Sequence, residues 1–110
     1  MNFTVNKEKI ISFVQDLCRK RNVSFSCTRA ETTESLYFRI WKDGSGSHVS
    51  FRISDHMKKR FVPHFKILLI NNNTTFAHIE RFVENRIDTL KTVSVLHAIE
   101  NLNEGGINHA

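Results

Sequence analysis

Two periodicities divide the chain. From about Lys7 to Arg21, the apolar residues Ile10, Phe13, Val14, Leu17 and Cys18 recur at spacings of three and four. That spacing puts one apolar stripe on a helix. Asn6 is the expected N-cap. Arg19, Lys20 and Arg21 fall in the last turn, where cations complement the helix dipole. The period then drops to two: Val23, Phe25 and Cys27 alternate with Ser24, Ser26 and Thr28, as in a strand with one buried face. After a polar break at Thr32-Thr33-Glu34, alternation resumes on both sides of Asp43-Gly44-Ser45-Gly46. This predicts a hairpin from Ser35 to about Ser54.

The hairpin's register follows from its side chains. If Lys42 faces Ser47, one face pairs Leu36 with Ile53, Phe38 with Phe51 and Ile40 with Val49, all apolar. The other face pairs Tyr37 with Arg52, Arg39 with Ser50 and Trp41 with His48. A slip by one residue would mix the two sets, so the pattern itself selects this register.

Beyond the hairpin lies a polar, basic connector, Asp55-His56-Met57-Lys58-Lys59-Arg60. In Phe61-Val62-Pro63-His64-Phe65, Pro63 blocks both a central strand and a helix interior. Phe65 to Ile70 reads as a buried fourth strand, though so short a run does not exclude a helix. Asn71-Asn72-Asn73 is a turn, with Asn73 or Thr74 as cap for a helix from about Thr75 to Leu102. Phe76, Ile79, Val83, Ile87 and Leu90 form its stripe with Phe82 beside it, and Val93, Leu96, Ile99 and Leu102 are read as its continuation. A break is expected near residue 90, a stop at Gly105-Gly106, and fraying after it. The predicted fold is a single α+β domain over 1–110. It is a two-layer sandwich of an N-terminal helix, a three- to four-stranded antiparallel sheet, and one long helix or two shorter ones.

The outer face of that sheet is the first functional candidate. Tyr37, Arg39, Trp41, His48, Ser50 and Arg52 lie together on it, with Ser24, Ser26 and Thr28 as neighbours. Rings interleaved with arginines suit unstacked bases and phosphates, and equally a protein interface. They can also simply cover the sheet, with Arg52 over Tyr37 as a cation–π pair. The second candidate is Lys58-Lys59-Arg60, since clustered basic residues bind phosphate without sequence preference.

Charge sharpens this reading. The net charge is +5, and residues 1–66 hold 13 basic and 6 acidic side chains against 3 and 5 in residues 67–110. A basic N-terminal part suggests a polyanionic or acidic partner. No apolar run approaches the roughly 20 residues of a membrane span. Two cysteines, Cys18 and Cys27, make neither a disulfide framework nor a zinc site and are expected as reduced thiols. No metal, cofactor or catalytic constellation is implied. His48, His56 and His64 are eight apart, which is no local zinc spacing. Ser54-Asp55-His56 names a triad, yet triad members must converge from separate elements.

The stretch Ser35-Leu36-Tyr37-Phe38-Arg39-Ile40, a short turn, and Val49-Ser50-Phe51-Arg52-Ile53-Ser54-Asp55-His56 resembles a hairpin common in small proteins of bacteriophages, plasmids and other mobile elements. The shared pattern is Ser-x-Tyr-hydrophobic, a polar turn, then Arg-Ile/Val-Ser-Asp-His, over about residues 35–56. The resemblance implies a mobile-element accessory protein in the bacterial cytoplasm, of the size of inhibitors of host defence such as anti-CRISPR proteins. Many of those are acidic DNA mimics, from which +5 departs. The order of elements is also similar to a double-stranded-RNA-binding domain, but the fourth strand and a lysine-poor start to the last helix depart from it.

The expectation is therefore a non-catalytic binding protein acting on nucleic-acid machinery, as an inhibitor of a host-defence complex of the CRISPR type. Its partner contacts would be Tyr37, Arg39, Trp41, Arg52, Lys58, Lys59 and Arg60. The alternative is a basic module that binds RNA or DNA directly. The oligomeric state stays open, since the last helix could pair with a second copy.

Overall fold

The computed structural model describes residues 1–30, 34–57 and 66–108, with backbone alone for 101–108. Thr32 and Thr33 of the polar break, the basic run Lys58-Lys59-Arg60 and the stretch Phe61-Val62-Pro63-His64-Phe65 lie outside the described residues. The elements run α1 (Phe3–Lys20), β1 (Ser24–Arg29), β2 (Leu36–Trp41), β3 (His48–Ser54), β4 (Lys66–Leu69) and α2 (Phe76–Asn108). The sheet order is β1-β2-β3-β4, and both helices cover one of its faces. This is the α+β two-layer architecture that the periodicities predict.

The hairpin register agrees pair by pair, from Leu36 opposite Ile53 to Trp41 opposite His48. β1 adds Phe25 and Cys27 to the apolar face, opposite Ile40 and Phe38. The turn is closed by the Ser45 amide donating to the Lys42 carbonyl at 3.1 Å. Gly44 (φ +81°) and Gly46 (φ +72°) take left-handed backbone that a side chain would strain.

The core is an aromatic ladder crossing from sheet to helix. Phe25 stacks on Phe38 at 6.4 Å, Phe38 on Phe51 at 5.0 Å, and Phe82 of α2 meets Phe51 edge-on at 5.6 Å. Ile10, Val14 and Leu17 of α1 and Ile79, Val83, Ile87 and Leu90 of α2 close around it. Arg21 at the end of α1 pairs with Glu84 of α2, and Arg19 with Asp16 at 3.9 Å, so part of that basic cluster serves the fold.

Four details differ from the sequence reading. The first is the start of α1: its N-cap is Asn2, whose Oδ1 accepts from the Val5 amide at 3.0 Å, and Asn6 lies in the first turn with its Nδ2 donating back to the Asn2 carbonyl. Second, β4 pairs parallel to β3, from Phe51 beside Lys66 to Ser54 beside Leu69, so the sheet is mixed. An antiparallel neighbour would need only a tight turn. The eleven residues 55–65 are close to the length a crossover needs.

Third, Thr75 caps α2: its Oγ1 accepts from the His78 amide at 3.4 Å and its own amide donates to His78 Nδ1 at 3.0 Å. That reciprocal pair is a capping box with histidine in the usual glutamate position. Thr74 instead closes the Asn71 turn, accepting from the Asn71 amide at 2.9 Å. Fourth, α2 is one helix of 33 residues. At the expected break, Thr89 and Thr92 donate their hydroxyls to the carbonyls of Asn85 and Asp88 at 3.0 and 3.2 Å, which a helix accommodates. Gly105 and Gly106 lie within it rather than ending it.

The distal half of α2 also leaves the core. The steps from Ile79 through Val83 and Ile87 to Leu90 complete about three turns, so these residues stay in line. Steps of three then lag by about 60° each, and by Ile99 the stripe faces away from Leu90. Val95, Leu96 and Ile99 are 59%, 54% and 47% exposed. Among the described residues, no helix is long and apolar enough to cross a membrane.

Candidate binding surface on the outer face of the sheet

The pairing of β1, β2 and β3 arranges the outer face in rows. Ser24, Trp41 and His48 form the row nearest the hairpin turn, Ser26, Arg39 and Ser50 the next, and Thr28, Tyr37 and Arg52 the third. Exposure falls steeply along β3, while Thr28 on β1 stays exposed and Tyr37 on β2 is half-buried. Arg39, Ser26 and His48 are exposed and Trp41 half-buried. At the far end Arg52 is 2% exposed and Ser54 fully buried.

This gradient splits the residues that the alternation had grouped. Arg52 is no part of an open surface. Its Nε and Nη2 donate to Ser35 Oγ at 3.0 and 2.8 Å, and Nη2 also reaches Ser54 Oγ at 3.3 Å and the His56 carbonyl at 3.1 Å. Ser35 Oγ donates to Ser54 Oγ at 3.0 Å. The guanidinium lies 5.8 Å from the Tyr37 ring centroid, within cation–π range. Of the residues carrying the mobile-element resemblance, Ser35, Arg52 and Ser54 therefore form a buried polar network, with half-buried Tyr37 against it and the exposed His56 adding its main-chain carbonyl. Their spacing satisfies a buried arginine.

The same network answers the Ser-Asp-His question. Ser54 Oγ and Asp55 Oδ1 lie 3.2 and 2.8 Å from the same ring nitrogen, His56 Nδ1. A triad needs the hydroxyl and carboxylate on opposite nitrogens, and the Ser54 hydroxyl is buried and already bonded. No group of three metal-ligating side chains occurs among the described residues.

The open end holds two adjoining depressions that share Arg39 and His48. One, of about 400 Å³, is lined by Ser26, Trp41, Asp43 and Ser47 beside them. Trp41 Nε1 and Ser24 Oγ both donate to Asp43 Oδ1 at 3.1 Å, which fixes the indole against the turn. The other, of about 560 Å³, lies where β3 meets α2 and adds Val49, Ser50, Arg86, Thr89 and Val93.

Sequence reasoning missed Arg86. It sits one residue before Ile87 in α2, and nothing local distinguishes it from a solvated helix arginine. Of the expected contacts, Arg39 and Trp41 come together at this end, half-buried Tyr37 and buried Arg52 pair in the third row, and Lys58, Lys59 and Arg60 are outside the described residues.

The thiols are remote from this surface. Cys18 is pushed up to about 11 by burial and by nearby Glu84. Cys27 reaches about 11 by burial, with Arg29 lowering and Glu8 raising it. Both are unpaired thiols. In comparison with known proteins, no family model, curated protein or solved structure matches the chain.

Proposed function

We propose that this protein is a non-catalytic binding domain of mobile-element type that acts on nucleic-acid machinery through the open end of its sheet. An inhibitor of a host-defence complex is the setting that the hairpin resemblance favours. The observation carrying the proposal is the grouping of exposed Arg39 and His48 with half-buried Trp41 in two adjacent rows, beside a turn that pins the indole. Tryptophan and arginine are the usual anchors of macromolecular interfaces. Arg39 has no carboxylate within ion-pair distance among the described residues, so its charge is available to a partner.

The test is capture of partners from bacterial host lysate by the tagged protein, in nuclease-treated and untreated halves, with Arg39→Glu and Trp41→Ala alongside. A replication or defence complex retained by the wild type and lost in both variants supports the proposal. Capture unaffected by either substitution refutes this surface.

A further inference from the structure

Among the described residues, β4 pairs with Phe51 to Ser54, and none pairs with the first half of β3, His48 to Ser50, on that edge. α2 passes there instead, and the gap between them is the 560 Å³ cleft. Its lining is unusual in charge. Arg39, His48 and Arg86 enter from three elements, and no carboxylate lines it among the described residues.

Arg86 is the telling residue. It is half-buried, and its Nε is shielded from solvent with no hydrogen-bond partner among the described residues. Its Nη2 donates to the neutral Asn85 Oδ1, at 2.8 Å. Burial lowers the pKa of Arg86 from the ordinary arginine value, yet a guanidinium does not give up its proton in a protein. A desolvated charge lacking a counter-charge is costly, and an anion is the group that offsets it. Arginine's fork matches phosphate oxygens in two-point geometry. Ser50 supplies a hydroxyl at the floor, while the Thr89 hydroxyl is already donated to the Asn85 carbonyl.

The cleft opens onto the Trp41 depression through Arg39 and His48, which line both. A phosphate held between two arginines, next to an indole on which a base can stack, is the arrangement of single-strand binders. We propose that the cleft between β3 and α2 grips the phosphodiester backbone of single-stranded nucleic acid through Arg39 and Arg86, with Trp41 stacking a neighbouring base. This rests on the proposed binding function and names the chemistry of its partner.

The test uses fluorescein-labelled single-stranded RNA and DNA of mixed sequence, titrated with the full chain across a salt series. Arg86→Met, which retains most of the side-chain volume, lowers affinity about tenfold or more. It also reduces the log–log salt slope by about 0.7, one phosphate contact on a single strand. Trp41→Ala lowers affinity at least about fivefold through lost stacking. Lys9→Ala, at an exposed site on α1, leaves affinity unchanged.

Thermal melting gives a readout independent of oligonucleotide: inorganic phosphate raises the midpoint of the wild type above a chloride control of equal ionic strength, and not that of Arg86→Met. Equal oligonucleotide affinity and equal phosphate response in wild type and Arg86→Met overturn the inference. No oligonucleotide binding, together with capture of a nuclease-resistant protein that depends on Trp41, also overturns it and leaves the proposed function standing. Failure of capture and oligonucleotide binding alike overturns both.

Discussion

Replacing Arg52 by alanine separates a structural from a contact role for the hairpin's Ser35-to-His56 pattern. The guanidinium donates to Ser35, Ser54 and the His56 carbonyl over 2.8–3.3 Å, and lies over Tyr37. Hydrogen bonds from a charged group contribute roughly 1.5–3 kcal/mol as a set dominated by the shortest. The cation–π contact adds about 1 kcal/mol, and the emptied volume adds a cavity cost. Two effects oppose these. Ser35 and Ser54 keep their bond to each other, and a buried charge is removed. The net expectation is a loss of about 3 kcal/mol for Arg52→Ala.

By the scaling for small domains, that loss lowers the melting midpoint by about 15 °C. Arg52→Lys keeps the charge but not the fork and loses about half as much. Arg39→Ala, at an exposed position in the next row, stays within about 0.5 kcal/mol. Urea denaturation followed by tryptophan fluorescence and far-ultraviolet circular dichroism measures all three. If Arg52→Ala unfolded at the wild-type urea concentration while partner capture vanished, the burial argument would be refuted and Arg52 would be a contact residue.

Three further outcomes follow from the packing and the thiols. Phe38→Ala empties the centre of the aromatic ladder, where Phe38 is 1% exposed, and costs about 3–5 kcal/mol in the same denaturation assay. Val95→Ser and Leu96→Ser change stability by no more than about 0.5 kcal/mol, whereas Leu90→Ala costs about 2–5 kcal/mol. A loss at Val95 or Leu96 that deepens on dilution would mean the distal stripe is buried against a second copy. Cys18 and Cys27 react slowly with a thiol reagent at pH 8, because burial raises both pKa values to about 11 and keeps them protonated there. Because folding raises these pKa values from 9.0, the stability they contribute is full below pH 9 and is lost as pH rises towards about 11. Rapid modification of the folded protein at pH 8 would contradict their burial.

Much of the fold was legible in the residue pattern, because its decisive signals are local. Alternation over Ser35 to Ser54 has one register that keeps Phe38 opposite Phe51, and the structure has that register. The α1 stripe and the Ile79 to Leu90 stripe are likewise set by chemistry three and four residues apart. Cap positions moved because Asn2 and Asn6, or Thr74 and Thr75, offer nearly the same local chemistry, and the neighbouring turn decides between them.

The direction of β4, the burial of Arg52 and the position of Arg86 are of another kind. Alternation assigns a side chain to a face of the sheet but does not say what covers that face, so Arg39 and Arg52 looked equivalent until burial separated them. A short apolar run carries no strand direction. The cleft joins residues 39, 48 and 86, which meet only where α2 passes beside β3. Local periodicity thus determined which residues face the core. Which polar residues remain open to a partner is set by non-local packing, where burial and desolvation depend on chain segments far apart in sequence.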